Sequence, residues 1–299
     1  MKRVIIWGLK ETRHSHRFIH KGFYENFSKL GYETKWLEDE SRYQIDRADL
    51  VFASGMAVKN LKIQKNVSYI FHNVTLNESQ IENINRNKIR HINIQVFTSD
   101  AKGITLDNQN ISYDESTKTL YQPWGTPLNQ DEWWPYQPKN ASNIEWWVGS
   151  VWNNNLNQGN KAVIKEYKRV LTDRKTLFIK RGGSRFRLNG ISEAKNARLI
   201  RKSKYAATIV GNWQRETHYI PCRLFKNLSY GMPIISNMEK PKFVSSNYGF
   251  NQNLVKLLEF AENESEQSRR NRFFSERDEI AKFTYEQNIK RIVGILENA

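Results

Sequence analysis

Short apolar runs alternate with longer amphipathic stretches along this chain, and the alternation predicts its elements. Residues 4–7 read as a strand. Residues 20–30 carry Phe23, Phe27 and Leu30 at helical spacing and stop at Gly31. Residues 33–37, 50–53, 68–72 and 92–98 read as further strands, and the polar stretch 99–121 leaves room for a short hairpin. Residues 129–143, with Pro135, Pro138 and three aromatics, read as a linker. A second series follows: strand 145–148, helix 161–171, strand 176–179, helix 193–202 with Ser192 as its cap, strand 205–210, helix 222–230 stopped by Gly231, and strand 233–236. From Gln252 onward the chain is mostly helical and charged. Strands separated by helices predict parallel sheets with crossover connections. The expected fold class is therefore α/β, with two Rossmann-like domains facing across a cleft. They span 1–128 and 144–280, with the linker 129–143 between them and a helical tail over 281–299. In such folds ligands bind outside the carboxyl ends of the strands.

Composition narrows the picture. Of 299 residues, 38% are hydrophobic and 12% aromatic, too many for a disordered chain. No apolar run reaches the roughly 18 residues of a membrane span. The opening Met1-Lys2-Arg3-Val4-Ile5-Ile6-Trp7-Gly8 reads as a first strand rather than a signal peptide. The single cysteine, Cys222, excludes an internal disulfide and a zinc site built on several cysteines. A cytoplasmic protein is expected. The net charge of +16 points to a polyanionic partner, to peripheral contact with an anionic inner membrane face, or to solubility alone.

The most informative segment is 205–237. It orders a strand, the polar loop Gly211-Asn212, a helix opening at Pro221-Cys222-Arg223, the stop Gly231, then Pro233 and a strand. A helix start with free N–H groups favours a phosphate, and Arg223 in its first turn adds a two-pronged donor. Pairing of Arg223 with an acidic neighbour is the plainer alternative; the surrounding order favours the ligand.

This segment resembles the donor-binding half of GT-B glycosyltransferases, whose Arg-x-x-aromatic-acidic helix grips a nucleotide diphosphate sugar. The resemblance rests on Arg223, Phe225, Gly231 and Pro233, with Phe225 one residue early. Where that family has a ribose-binding Glu stands Lys226, so Lys226 is expected on phosphate, or Asn227 on the sugar. Asn212 is expected in the same donor site. The Gly149-Ser150 turn after Trp146-Trp147-Val148 matches the family's phosphate loop, and Arg181 after the next strand matches its phosphate-gripping base, with Lys180 second. GT-B chains also commonly end in a helix that crosses back onto the first domain, which the tail fits.

Three of the six histidines, His14, His16 and His20, lie after the first strand. The segment from Gly8 to Tyr24 resembles the opening of a group of bacterial and viral glycosyltransferases with the same histidine-rich start, which implies an acceptor-side role for His14 and His16. His20, near a helix start, is a candidate general base, and a packing or capping histidine is the equal alternative. The phage DNA glucosyltransferases, which the chain resembles distantly in overall order, place an Asp after the strand comparable to 68–72. Here His72 takes that place. Asp100 reads as a helix cap. Trp124 is expected either to stack on a sugar or base or to pack at the interdomain joint. Arg13, Arg17 and Lys21 disfavour a cation among the histidines, and no Asp-x-Asp pair is present, so no metal is expected. The basic run 269–274 reads as a solvated helix face.

The expected function is a metal-independent glycosyltransferase using a nucleotide diphosphate sugar as co-substrate, with no other cofactor. The acceptor expected first is a surface glycan or lipid-linked precursor. DNA with hydroxylated bases is the alternative, and a non-catalytic nucleic-acid-binding protein on a Rossmann-like scaffold is the competing class.

Overall fold

The computed structural model describes residues 2–11, 16–39, 45, 48–54, 60–72, 78–96, 105–141, 144–149, 151–153, 159–171, 176–180 (backbone) and 192–298. The chain divides into two compact units. The first comprises 1–96, 111–122 and 285–299, and the second 97–110 and 123–284.

The first unit is built on a seven-stranded sheet. Its strands are β1 (Arg3–Trp7), β2 (Glu33–Leu37), β3 (Leu50–Ser54), β4 (Ser68–His72), β5 (His91–Gln95), β6 (Ser112–Asp114) and β7 (Thr119–Tyr121), in the order β2-β1-β3-β4-β5-β7-β6. All neighbours are parallel except β6, the antiparallel partner of β7 in a hairpin at the sheet edge. Side chains alternate across a strand. Ile5, Trp7, Val51, Ala53, Tyr69 and Phe71 accordingly share one core cluster with Ile84, on the helix α2 (Glu78–Arg86). Phe52 lies on the other face, stacked on Phe23 of α1 (His16–Lys29) with ring centroids 4.3 Å apart. α1 starts four residues earlier than the apolar spacing predicts. It is joined on that face by α9 (Tyr285–Asn298), whose Tyr285 ring lies 5.0 Å from Phe23. Tyr285, Ile289, Ile292 and Leu296 are buried along one stripe of α9, and Arg291 donates to the Gln122 amide oxygen at 2.7 Å.

The second unit carries β8 (Ile144–Val148), parallel to β9 (Thr176–Lys180). Around it lie α3 (Lys161–Val170), α4 (Glu193–Arg201), α5 (Asn212–Glu216), α6 (Cys222–Ser229), α7 (Leu254–Asn263) and α8 (Glu266–Ile280). The strands expected over 205–210 and 233–236 are reduced to isolated parallel bridges, Thr208 to Ser236 and Ser236 to Phe250. The reason is a side chain. The Glu145 carboxylate takes the N–H groups of Tyr205, Ala206 and Ala207 at 3.0, 3.3 and 2.9 Å, which a ladder would otherwise use.

Two further expectations change. Within the expected linker 129–143, residues 129–141 are a strap fastened onto the second unit: Trp134 and Gln137 donate to the carbonyls of Ser229 and Gly231 at 2.9 and 2.8 Å, and Arg201 donates to that of Pro135 at 2.7 Å. The basic run 269–274 is a solvated face only in part: Arg270, Asn271 and Phe274 are exposed. Arg269, Arg272 and Phe273 are buried, spaced so that one side of α8 faces inward. Arg269 donates to the Tyr136 hydroxyl and the Gln137 carbonyl, holding the strap at 2.8 and 2.6 Å. Arg272 bridges two buried carboxylates, Glu264 at 2.8 Å and Glu276 at 2.7 Å. No helix among the described residues is long and apolar enough to cross a membrane.

Candidate functional site

Two clusters of polar groups stand at the carboxyl ends of strands, one in each unit. In the second unit, β8 ends at Gly149, whose φ of +152° suits a residue without a Cβ. A Cβ there would overlap Arg223 Nη2, so the bare glycine lets the guanidinium lie against the turn. Arg223 sits in the first turn of α6, which Pro221 opens. Its guanidinium carbon lies 3.4 Å from the centroid of the Trp147 ring. Arg223 Nη1 is enclosed and has no hydrogen-bond partner among the described residues. Burial pulls the guanidinium down to about 9, while the negative charge of Glu145 acts to raise it. Glu145 itself is saturated, since it also accepts the Tyr167 hydroxyl at 3.2 Å. It therefore supplies field without a hydrogen bond. The arrangement is a cation with an open donor at a glycine turn, which is the chemistry that receives an oxyanion.

The other donor-side residues are placed differently. Phe225 is fully buried between Phe243 and Phe283, with ring centroids at 5.8 and 5.3 Å, so it is core and faces no ligand. Asn227 is buried and donates to the Ala206 carbonyl at 2.5 Å, fixing the backbone beside β8 instead of reaching a sugar. Lys226 pairs with Glu193 at 3.3 Å. The departure of this helix from the family's acidic position thus serves an ion pair with α4. Asn212 is exposed at the start of α5 and accepts from Arg215. Trp124 is 1% exposed and offers no face for stacking. His14, Ser150, Arg181 and Asp100 lie outside the described residues, and for Lys180 only the backbone is described.

Sequence reasoning missed Glu145 and the part of Trp147. The signal for Glu145 was present: one carboxylate inside the apolar run Ile144-Glu145-Trp146-Trp147-Val148. A charge in such a strand is buried only with partners.

In the first unit, β4 and α1 bring His72 and His20 together, with Nε2 atoms 2.8 Å apart. His20 Nδ1 lies 3.1 Å from the Gly8 carbonyl, an obligatory acceptor, so Nδ1 carries the proton. His20 Nε2 is then the acceptor, and His72 Nε2–H the donor. This assigns His72 the tautomer whose lone pair is on Nδ1. Burial holds both rings neutral, His20 lowered to about 3 and His72 well below its ordinary value, with neighbouring histidine charge adding to each. Both rings, the candidate general bases, are wholly buried. His16, at the start of α1, is partly exposed, with its ring centroid 5.6 Å from that of His72. The cluster is a buried pair with one accessible member. No group of three or more His, Cys, Asp or Glu among the described residues is arranged to hold a metal ion.

Two α/β units, one with a parallel-dominated sheet, and a C-terminal helix packed on the first of them give this chain the GT-B fold of glycosyltransferases. Among solved structures it is similar to an α-glucosyltransferase in complex with UDP and a 13-mer DNA, with a TM-score of 0.61, 11% identity, and coverage of 99% of this chain and 100% of that one. It is similar also to the phage T4 β-glucosyltransferase (TM-score 0.54, 9% identity, 98% and 99% covered) and to that phage's enzyme with UDP and Mn²⁺ (0.56, 10%, 98% and 99%). No protein-family model matches the chain, and no curated protein matches it in sequence.

Proposed function

We propose that this protein is a glycosyltransferase that moves a sugar from a nucleotide diphosphate sugar to a hydroxyl carried on DNA. The observation that carries the donor half is Arg223, whose guanidinium lies against the Gly149 turn through Nη2 and keeps Nη1 without a partner among the described residues. In the transfer, the acceptor oxygen forms a bond to the anomeric carbon while the bond from that carbon to the diphosphate breaks. The electron pair leaves on the diphosphate, and the acceptor proton passes to a base. Arg223 stabilises the growing charge on the leaving group, and enclosure from water strengthens that interaction. On the acceptor side the partly exposed member of the histidine cluster, His16, meets the acceptor, and the His20–His72 pair packs behind its ring. DNA is preferred over a surface glycan because the fold matches, over the full length of both chains, a glucosyltransferase solved with UDP and DNA. The net charge of +16 fits the same acceptor.

Calorimetry across the common nucleotide sugars tests the donor half. The wild type is expected to bind at least one of them, and Arg223→Ala to lose about ten-fold or more of that affinity, as for a lost charge-assisted hydrogen bond. Absence of any binding to the wild type overturns the reading. Transfer of labelled sugar to hydroxymethylated duplex DNA, but not to unmodified DNA, tests the acceptor; transfer only to lipid-linked glycan reverses that assignment. The same assay with chelator and with added Mn²⁺ tests the proposal that the transfer needs no metal.

A further inference from the structure

The Trp147 indole is a second buried donor without a partner. Trp147 is 3% exposed, and its Nε1–H finds no acceptor among the described residues. Buried N–H groups are nearly always paired, because an orphan forfeits its hydrogen bond to water with no return. Here two orphans stand together, because Arg223 Nη1 is the other. The position a Cβ would take on Gly149 lies 3.9 Å from Trp147 Nε1 and overlaps Arg223 Nη2, so the indole N–H and the guanidinium that carries the other orphan border the same turn at the end of β8. The Glu145 carboxylate beside them spends its oxygens on three backbone N–H groups and the Tyr167 hydroxyl. Two unpartnered donors on touching side chains suit a bound oxyanion. The guanidinium carbon lies 3.4 Å from the centroid of the indole ring, and Nη1 is left unused.

We infer that the Trp147 indole N–H is a second donor to the diphosphate of the bound nucleotide. Arg223 meets one phosphate oxygen from over the ring face, and the indole N–H, which lies in the ring plane, meets another. This rests on the donor reading above and adds a residue to it. It also gives Trp147 two jobs that a substitution can separate: the ring carries the stack, and the N–H carries the anion.

Trp147→Phe keeps a ring for Arg223 and removes the N–H. With UDP as the probe, its affinity is expected to fall about ten-fold relative to wild type, the size of a hydrogen bond to a charged group. Uridine, which lacks phosphate, is expected to bind the two proteins alike. In wild-type protein labelled with ¹⁵N at tryptophan, the Trp147 indole resonance, identified by its loss in the variant, is expected to move downfield with UDP and to stay in place with uridine. Wild-type binding of UDP with no change in the variant, or an unmoved indole resonance at saturating UDP, overturns the proposal and leaves the donor reading intact. Failure of the wild type to bind any nucleoside diphosphate overturns the donor reading itself. Should the variant not fold, the wild-type resonance, assigned by sequential NMR, decides alone.

Discussion

At the scale of single residues, burial decides what each polar group can do. His20 and His72 are neutral because they are enclosed, and a histidine in the unfolded chain titrates near 6.5. Below that pH the unfolded chain takes up protons that the folded pair refuses. Stability is therefore expected to fall as pH drops from about 6.5, by roughly 1.4 kcal/mol per pH unit for each histidine. Urea midpoints at pH 7.5 and 5.5 measure this, and His72→Asn should flatten the slope. Gly149 is the contrasting case, where the absence of a side chain is the function. Gly149→Ala places a methyl where Arg223 Nη2 lies and a Cβ on backbone at φ +152°, so both UDP affinity and the melting temperature should drop, read by calorimetry and thermal melts on the same sample. The histidines and the glycine were all legible as candidates in the sequence. Their exposure was not, since the His20 and His72 rings meet across 52 positions of chain.

At the scale of elements, the boundaries follow the apolar spacing closely. β2 and β4 fall where the alternation puts them, and α3, α4 and α6 end one residue before the expected stops. The departures come from side chains that replace backbone partners. Glu145 takes the N–H groups of 205–207, so a segment with strand composition pairs through Thr208 alone. Arg269 and Arg272 turn the basic run of α8 inward. Arg272 is the one cation shared by Glu264 and Glu276, and burial lifts Glu276 to about 7 even with that partner. Arg272→Met is expected to cost about 3–5 kcal/mol by leaving the two carboxylates unpaired, as measured by urea unfolding. Reading charge as solvent exposure fails here because a charge run carries no record of its partners in α7 and α8.

At the scale of the whole molecule, the chain returns to its beginning. The first unit is completed by α9, whose buried stripe closes over α1. Ile292→Ala is expected to cost about 2–5 kcal/mol although it lies near the end of the sequence, measured by denaturant unfolding of the full chain. The surplus positive charge acts at this scale as well. Binding to duplex DNA should weaken steeply with salt, with a logarithmic slope near −0.9 for each phosphate neutralised, in gel shifts or anisotropy across 50–200 mM salt. By itself the sequence determined the α/β class, most of the element order, the glycine turn after β8 and Arg223 in the first turn of its helix. Those features are local: apolar period, turn chemistry and helix start are each written within a few residues. Tertiary structure alone decided that Phe225 and Asn227 belong to the scaffold, that the histidine pair is sealed, and that Trp147 joins Arg223 with an unused donor. Each of those depends on what lies across space from a side chain, and burial and pairing are set only when distant segments pack.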